Sequence, residues 1–334
     1  MNAASSDRRP AIPDADLEVM RRTLAEPNAD ADAIDALLCT TDPSRTQDCG
    51  RSHGDVALVR RLFREHRIDL DLRLRGWASI VRRRKPWLSF QAAWYRQAER
   101  RVAACFPKVH AAQTAARADG GLKNRSQFAR LWEIACLLEI LQPKSCLEFG
   151  TGASTAMLAA CMLGRGSLLS VEESPYWHAR VQQYLHQFAS GAVSLQADKV
   201  LTEFDGEPVV HYDLPHDREY DLVYVDGPAN EPPETLTPVQ REAAFRLDPR
   251  GRLANVDLEL MWNAGIFPRF IILDGRLSTL RRWYRKGIDR YDLRLKSEYA
   301  AQAAGKPPNY MLHHTVLIRR DAGVGRSNGE AQRP

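Results

Sequence analysis

The sequence predicts an α/β protein with a doubly wound, mostly parallel β-sheet that follows an α-helical N-terminal region. Three observations support this prediction. From residue 126 onwards, apolar runs of strand length alternate with amphipathic stretches. These runs are continuously apolar, as in strands that are buried on both faces. Residues 55–118 show helical spacing of their apolar residues and no clear strand pattern. The alternation from residue 126 onwards is typical of a sheet that is covered by helices on both faces.

The composition is that of an ordinary globular protein with one to three domains. The chain has 334 residues, of which 44% are hydrophobic and 27% are charged, so it can bury a sizeable core. No apolar run approaches the ~18 residues of a membrane span. The six cysteines include no C-x-x-C pair, which argues against a zinc ribbon or a redox dithiol. The N-terminal residues show no secretory signal, so we expect a cytoplasmic location.

The net charge of +5 is unevenly distributed, and this asymmetry suggests the domain organisation. Residues 1–50 carry a net charge of −5, residues 51–130 carry +13, and residues 131–334 carry −3. We predict an acidic, loosely ordered arm over 1–50, with short helices at 14–24 and 31–38. A basic helical domain over 51–125, an α/β domain over 126–320 and a disordered tail over 321–334 complete the prediction.

The elements of the α/β domain can be predicted in order. Apolar residues on one face indicate a helix at Ser126–Leu141, with Ser126 as its N-cap and Pro143 after its end. Strand patterns then alternate with helix patterns. We predict a strand at 145–149, a helix at 154–162, a strand at 167–171, a helix at 176–188, and strands at 192–196, 222–225, 269–273 and 314–319.

The most informative segment, CLEFGTGAST at residues 146–155, closes the first strand and opens the next helix. Gly150 and Gly152 allow a tight turn and the close approach of a ligand to the backbone. Glu148 places a carboxylate beside this loop, and Thr155 stands where a dinucleotide fingerprint has its third glycine. The loop therefore suits a cationic, amine-bearing ligand better than a diphosphate. A lone G-x-G is also found in turns that serve packing alone.

Two acidic residues end the following strand. Glu172 and Glu173 lie 22 and 23 residues after Gly150, near the ~20-residue spacing at which an acid meets the hydroxyls of a ribose. Spacing does not decide which of the two faces the ligand.

Three motifs in this order, LEFGTGAST, SVEES and YDLVYVDGP, resemble those of the class I S-adenosylmethionine-dependent methyltransferases. The resemblance covers about residues 126–320 and implies a Rossmann-like, seven-stranded sheet, with S-adenosyl-L-methionine as the cofactor. It also implies a set of cofactor-binding residues. These are Glu148, Gly150 and Gly152 at the amino-acid part, Thr151 and Ser154 of the same loop, Glu172 or Glu173 at the ribose, and Asp198 near the adenine.

Two further acids, Asp226 and Asp274, end the fourth and fifth of these parallel strands and are expected to be neighbours. The similar catechol-type O-methyltransferases hold a divalent metal ion with acids at these two places, although here Gly275 replaces the next acid or amide. Alternatively, Asp226 acts as a general base or positions the acceptor, or the two carboxylates only cap the adjacent turn and helix. His216 and His314 are weaker candidates for a base.

The loop 229–238 follows Asp226 directly and is expected to line the acceptor pocket, where Arg241 or Arg276 could bind a carboxylate or phosphate. We therefore predict a methyltransferase that acts on a hydroxyl of a small molecule or glycan. The sequence does not indicate an oligomeric state.

The sequence is also compatible with other functions. The basic segment 81–87, followed by Trp94 and Tyr95, could bind a nucleic acid. However, Asp226 begins a D-G-P-A string where base-amine methyltransferases carry N/D-P-P-Y/F, which disfavours a nucleic-acid acceptor. A nicotinamide-dependent oxidoreductase shares the strand-loop-helix start, and a binding module without turnover would keep the fold.

Overall fold

The computed structural model describes residues 11–25, 34, 38, 86–118, 126–188, 191–231, 234, 236–248, 250–286, 288–296, 299 and 312–322. Its helices are α1 (Asp14–Ala25), α2 (Pro86–Cys105), α3 (Pro107–Ala118), α4 (Ser126–Leu141), α5 (Ala153–Met162), α6 (Pro175–Phe188), α7 (Pro238–Leu247), α8 (Asp257–Asn263) and α9 (Leu277–Arg285). Its strands are β1 (Ser145–Phe149), β2 (Ser167–Glu172), β3 (Ala192–Gln196), β4 (Lys199–Phe204), β5 (Glu207–Tyr212), β6 (Leu222–Val225), β7 (Ala254–Asn255), β8 (Phe270–Leu273), β9 (Tyr291–Arg294) and β10 (Thr315–Arg319).

Seven strands form the main sheet in the order β3-β2-β1-β6-β8-β10-β9. Strand β10 runs antiparallel to both of its neighbours, whereas all other adjacent strands are parallel. The prediction of a doubly wound, mostly parallel, seven-stranded sheet is confirmed. The strand order reverses between β1 and β6, and ligands of such sheets bind outside the carboxyl ends of the strands at this reversal.

Both faces of the central strands of the main sheet are covered, which explains why these strands are continuously apolar. In β1, Cys146 belongs to the core on one face and Leu147 and Phe149 to the core on the other. In β8, Phe270 and Ile271 alternate between the same two cores. Because successive side chains of a strand point to opposite faces, a strand between two helical layers has an apolar residue at nearly every position.

A second sheet, with the order β4-β5-β7, follows β3 and was not predicted. Its hairpin turns at Asp205 and Gly206, which have φ angles of 54° and 75°. Positive φ at both central residues is typical of the tight turn that Asp-Gly favours in hairpins. The buried Arg282 of α9 binds the Phe204 carbonyl and the carboxylate of Glu259, so the hairpin is tied to the main domain.

The N-terminal helices pack on the main domain. Val102 of α2 and Val109 of α3 lie in the same core as Leu131 of α4, so the described part of the predicted basic helical domain shares the core of the α/β domain. The helix predicted at 14–24 is present as α1 and is firmly packed, with an ion pair of 2.7 Å between Asp16 and Arg101. The predictions for residues 51–85 and 323–334, and for most of the helix at 31–38, lie outside the described residues.

The predicted interleaving of basic and aromatic residues is described only in part. Trp94 is 6% exposed and belongs to the core, with the Arg101 guanidinium 5.6 Å from its ring. Tyr95 packs against the same core. These two aromatic side chains therefore serve packing, while residues 81–85 lie outside the described part. Of the helices that the structure describes, none is both long and apolar enough to cross a membrane.

Candidate active site

Two glycines bring the loop after β1 against the loop after β6. Gly150 has a φ of +87°, and a Cβ added there would lie 2.4 Å from the backbone nitrogen of Gly227. A Cβ on Gly227 would in turn lie 2.4 Å from the Cα of Gly150. Only residues without a side chain permit this contact, so the two loops meet backbone to backbone at the point where the strand order reverses.

Gly152 serves a different purpose from Gly150. Nothing that the structure describes lies within 4 Å of the position that a Cβ on Gly152 would take, and its φ of 172° is an extended backbone that any residue adopts. Its N–H donates to Thr155 Oγ1 at 2.9 Å and closes the first turn of α5. None of the described residues therefore requires glycine at position 152, and the space beside it is open.

Glu148 and Ser154 lie beneath the loop and bind each other. Both carboxylate oxygens of the fully buried Glu148 accept hydrogen bonds of 2.6 Å, one from Ser154 and one from Ser170. Burial raises the pKa of Glu148 to about 7, although these hydroxyls favour its charged form. The two side chains thus support the loop from below, and the predicted contact of Glu148 with a cofactor stays a prediction.

Glu172 is tied to the glycine-rich loop. Its Oε2 accepts from the backbone N–H of Thr151 at 2.8 Å and from the Thr151 hydroxyl at 2.7 Å, and its Oε1 accepts from the N–H of Ser174. Burial raises the pKa of Glu172 despite these hydrogen bonds. Its carboxylate therefore lies beside the loop, with one lone pair of Oε1 still available for a hydroxyl.

Glu173 is directed to a different loop. It accepts from the Tyr212 hydroxyl at 2.6 Å and from the N–H of Ala229 at 2.7 Å. Burial acts to raise the pKa of Glu173, but these hydrogen bonds outweigh it and the pKa is lowered. Glu173 thus joins the end of β5 to the loop after β6. Asp198 is exposed and follows β3 at the same edge of the sheet.

Asp226 and Asp274 are neighbours, as expected. They follow Val225 of β6 and Leu273 of β8, which are paired in register, and the N–H of Asp274 donates to the Val225 carbonyl at 3.0 Å. The Asp226 side chain is 45% exposed, with Arg276 Nη2 at 3.4 Å from its Oδ1. Its partial enclosure and the negative charge of Asp274 raise the pKa of Asp226 to about 7. Asp226 is thus the accessible carboxylate of the pair.

Asp274 is held by a guanidinium. Nη1 of Arg130 lies 3.0 Å from Oδ1 and 2.9 Å from Oδ2 of this carboxylate, which is 8% exposed. Burial opposes ionisation, but the charges of His314 and Arg130 outweigh it and lower the pKa of Asp274. Helix α9 has Arg276 at its N-cap position and no side-chain cap. The alternative that Asp274 caps this helix is therefore wrong.

A buried polar chain lies behind Asp274. His314 Nδ1 is 2.8 Å from Glu133 Oε1, and His314 Nε2 is 3.1 Å from the Tyr224 hydroxyl. Burial acts to lower the pKa of His314, but Glu133 outweighs it and the pKa is raised. His216 in turn binds the buried carboxylate of Asp257 at 2.8 Å. Since both imidazoles are engaged by internal acids, neither is as accessible to an acceptor as Asp226.

The carboxylate pair does not fit a divalent cation. Calcium and magnesium ions require several oxygen ligands, yet both oxygens of Asp274 are bound to Arg130. Among the described residues, no group of three or more His, Cys, Asp or Glu side chains could hold a metal ion. The predicted metal ligands are thus adjacent, but one of them already has a cationic partner.

The loop after β6 and the end of β5 are supported by Asn255 and Asp257, which the sequence did not single out. The Asn255 side chain donates to the Gly227 carbonyl at 2.9 Å, and Asp257 accepts from the N–H of Tyr212 at 2.9 Å. Arg276 Nη1 binds the Pro228 carbonyl at 2.8 Å, next to Asp226. Arg241, by contrast, binds carbonyls of its own loop at residues 234 and 236. Of the two predicted arginines, only Arg276 contacts Asp226.

No protein-family profile matches the sequence, and no curated protein matches it significantly. Solved structures similar to the chain include the O-methyltransferase from Bacillus cereus in complex with SAH, with 13% identity, coverage of 67% of this chain and 97% of that chain, and a TM-score of 0.39. The O-methyltransferase TomG from Streptomyces achromogenes, in complex with SAM, has 14% identity, coverage of 64% and 89%, and a TM-score of 0.36.

These superpositions are loose, and the fold is assigned from the sheet itself. The strand order β3-β2-β1-β6-β8-β10-β9, with β10 as its antiparallel strand, has the reversal point between the glycine-rich loop and Asp226. The chain thus has the Rossmann-like, seven-stranded sheet that its resemblance to the class I S-adenosylmethionine-dependent methyltransferases implies.

Proposed function

We propose that this protein is an S-adenosylmethionine-dependent methyltransferase that acts on a hydroxyl oxygen of a small molecule or glycan. The observation that carries the proposal is the convergence of the glycine-rich loop, Glu172 and Asp226 at the edge where the strand order reverses. Ligands of doubly wound sheets bind at this place, and the space beside Gly152 is open there.

Three groups of residues fit the cofactor in this proposal. The backbone of Thr151 and Gly152 borders the open space and would contact the amino-acid part of the cofactor. Glu148 and Ser154 support this loop from below. Glu172 is the better candidate for the ribose, because it is bonded to Thr151, whereas Glu173 is bonded to Tyr212. The third group is Asp198, which is exposed at the end of β3 where the resemblance puts the adenine.

The chemistry requires a positioned acceptor and a proton acceptor. When bound, the cofactor supplies a methyl group on a positively charged sulfur. Asp226 would receive the proton of the acceptor hydroxyl, because its carboxylate is accessible and a base with a pKa near the working pH is the most effective. Arg276 holds Asp226 Oδ1 and the Pro228 carbonyl, and so fixes the orientation of the base.

Calorimetric titration tests the cofactor assignment. We expect S-adenosylmethionine and S-adenosylhomocysteine each to bind at one site, and NAD to bind much more weakly. Binding of NAD alone would instead support the oxidoreductase alternative and overturn the proposal. Glu172→Gln should weaken S-adenosylhomocysteine binding more than Glu173→Gln does, and equal or reversed effects would contradict the ribose assignment.

A further inference from the structure

Arg130 is built into the site as a fixed cation. It lies in the first turns of α4, and its Nη1 contacts both oxygens of Asp274. Its charge also acts on Asp226, where it opposes the effects that raise the pKa of that carboxylate. A cation at this place interacts with both acids that the resemblance to the catechol-type enzymes assigns to a metal ion.

The carboxylate that Arg130 holds is fixed from behind. Tyr224 presents its hydroxyl to Asp274 Oδ2 at 3.5 Å, and the imidazole of His314 lies 4.0 Å from the same oxygen. His314 is in turn held by the buried Glu133. Because these groups restrict Asp274 to one orientation, the carboxylate cannot readily turn away from the guanidinium to complete a metal site.

A second guanidinium accompanies the other carboxylate. Arg276 is 12% exposed and lies 3.4 Å from Asp226, so each acid of the pair has an arginine beside it. Two guanidinium groups offset the charge of two carboxylates. A divalent cation at this place would have to displace Arg130 from Asp274 and would then face two nearby positive charges.

We propose that the guanidinium of Arg130 is the resident cation of this site, in the place of a divalent metal ion, and that it positions Asp274 beside Asp226. The replacement of a metal ion by Arg130 follows from the geometry of the site. Its importance for catalysis rests on the proposed methyltransferase function. The chain thus departs from the metal-dependent pattern that its carboxylate pair resembles.

Binding of Mn²⁺, followed by electron paramagnetic resonance in the presence of S-adenosylhomocysteine, tests the inference without an acceptor. The wild-type protein should show no saturable Mn²⁺ binding. Arg130→Met frees the oxygens of Asp274 and should gain saturable Mn²⁺ binding, with a Kd below about 1 mM. The double variant Arg130→Met/Asp274→Asn should lose this gain. Arg241→Met removes the same charge from an exposed arginine that binds its own loop, and should bind no additional Mn²⁺.

Two results would overturn the inference. One is saturable binding of Mn²⁺ to the wild type with a Kd below about 0.1 mM that Asp274→Asn abolishes. The other is an Arg130→Met protein that folds and binds S-adenosylhomocysteine, yet binds no more Mn²⁺ than Arg241→Met does. If Arg130→Met does not fold, the wild-type titration still decides. Failure of the wild type to bind S-adenosylhomocysteine would instead contradict the proposed function.

Discussion

Arg130 and Asp274, which are 144 positions apart in the chain, form a hydrogen-bonded ion pair in which one guanidinium nitrogen contacts both carboxylate oxygens. His314 and Arg130 together keep the buried Asp274 ionised, and its negative charge adds to burial in raising the pKa of the adjacent Asp226. Neighbouring carboxylates whose pKa values are driven apart are a common way of providing one fixed charge and one base. We therefore expect Asp226 to act as the base and Asp274 as the fixed charge, opposite the glycine-rich loop after β1.

Asp226→Asn should abolish most turnover while cofactor binding is kept. The amide cannot accept the acceptor's proton, and loss of a general base costs about 10² to 10⁴ in rate. The turnover number and the Kd for S-adenosylhomocysteine are the two measurements. Asp217→Asn, which changes an exposed acid outside the site, is the control. Turnover of Asp226→Asn at the level of this control would rule out the catalytic role.

The pH dependence of kcat/KM should have an acidic limb near the pKa of Asp226, which is about 7. Activity rises with pH, because the base must be ionised to accept a proton. Asp274→Asn removes a nearby negative charge, so it should move this limb to lower pH. A profile that is unchanged in Asp274→Asn would show that the two carboxylates do not interact.

Gly150→Ala and Gly152→Ala should have opposite effects. The first forces a side chain onto the Gly227 backbone at a positive φ, so the protein should lose stability by about 1–3 kcal/mol or more. The second meets no described protein atom, so the Tm should change little, while the added methyl group should weaken cofactor binding at least about tenfold. Thermal unfolding and calorimetric titration of both variants provide the comparison. Unaltered binding of S-adenosylhomocysteine by Gly152→Ala would contradict a cofactor site beside Gly152.

Glu148 should make stability dependent on pH. Its pKa is about 7 in the folded protein and near 4.5 in the unfolded chain, so the folded state holds its proton more tightly. The free energy of unfolding therefore falls as the pH rises from about 4.5 through about 7, by up to about 3 kcal/mol for this group. Glu148→Gln should lose that part of the slope in urea denaturation between pH 5 and pH 8. If the free energy of unfolding has the same dependence on pH in the wild type and in Glu148→Gln, the raised pKa of Glu148 is refuted.

Arg282→Met should be strongly destabilising. The Arg282 side chain is fully buried and binds Glu259 with two nitrogens, as well as Glu207 and Asp205. Its removal leaves the buried Glu259 without its partner, which typically costs about 3–5 kcal/mol. Arg285→Met removes the partly exposed arginine that also binds Glu207, and should cost no more than about 1 kcal/mol. Equal losses in chemical denaturation would contradict this account.

The main sheet could be predicted because its strands are apolar runs flanked by turns. The run at Ser145–Phe149 matches β1, and the others match within one residue at either end. The second sheet was missed, although the Asp205-Gly206 pair between two strand-like stretches is a strong hairpin signal. Strand β9 contains Asp292 and Arg294, so it lacks the apolar run that marks the equally short strands β6 and β8.

The carboxylates of the site could be predicted, but their partners could not. Asp226 and Asp274 end parallel strands, so their proximity follows from the fold. Arg130 and Glu133 lie in a mostly apolar helix, and a charged residue there signals a buried pair. The sequence does not say which partner each one meets, because Glu133 binds His314, 181 positions further along. Such contacts depend on how α4 packs against the sheet.

Transfer of a tritium-labelled methyl group from S-adenosylmethionine, screened against small-molecule, glycan and nucleic-acid acceptors, tests the central claim most directly. The account predicts label in a hydroxyl-bearing small molecule or glycan, as an ether, and loss of this label with Asp226→Asn. Label in nucleic acid alone, or transfer at the wild-type rate by Asp226→Asn, would contradict it.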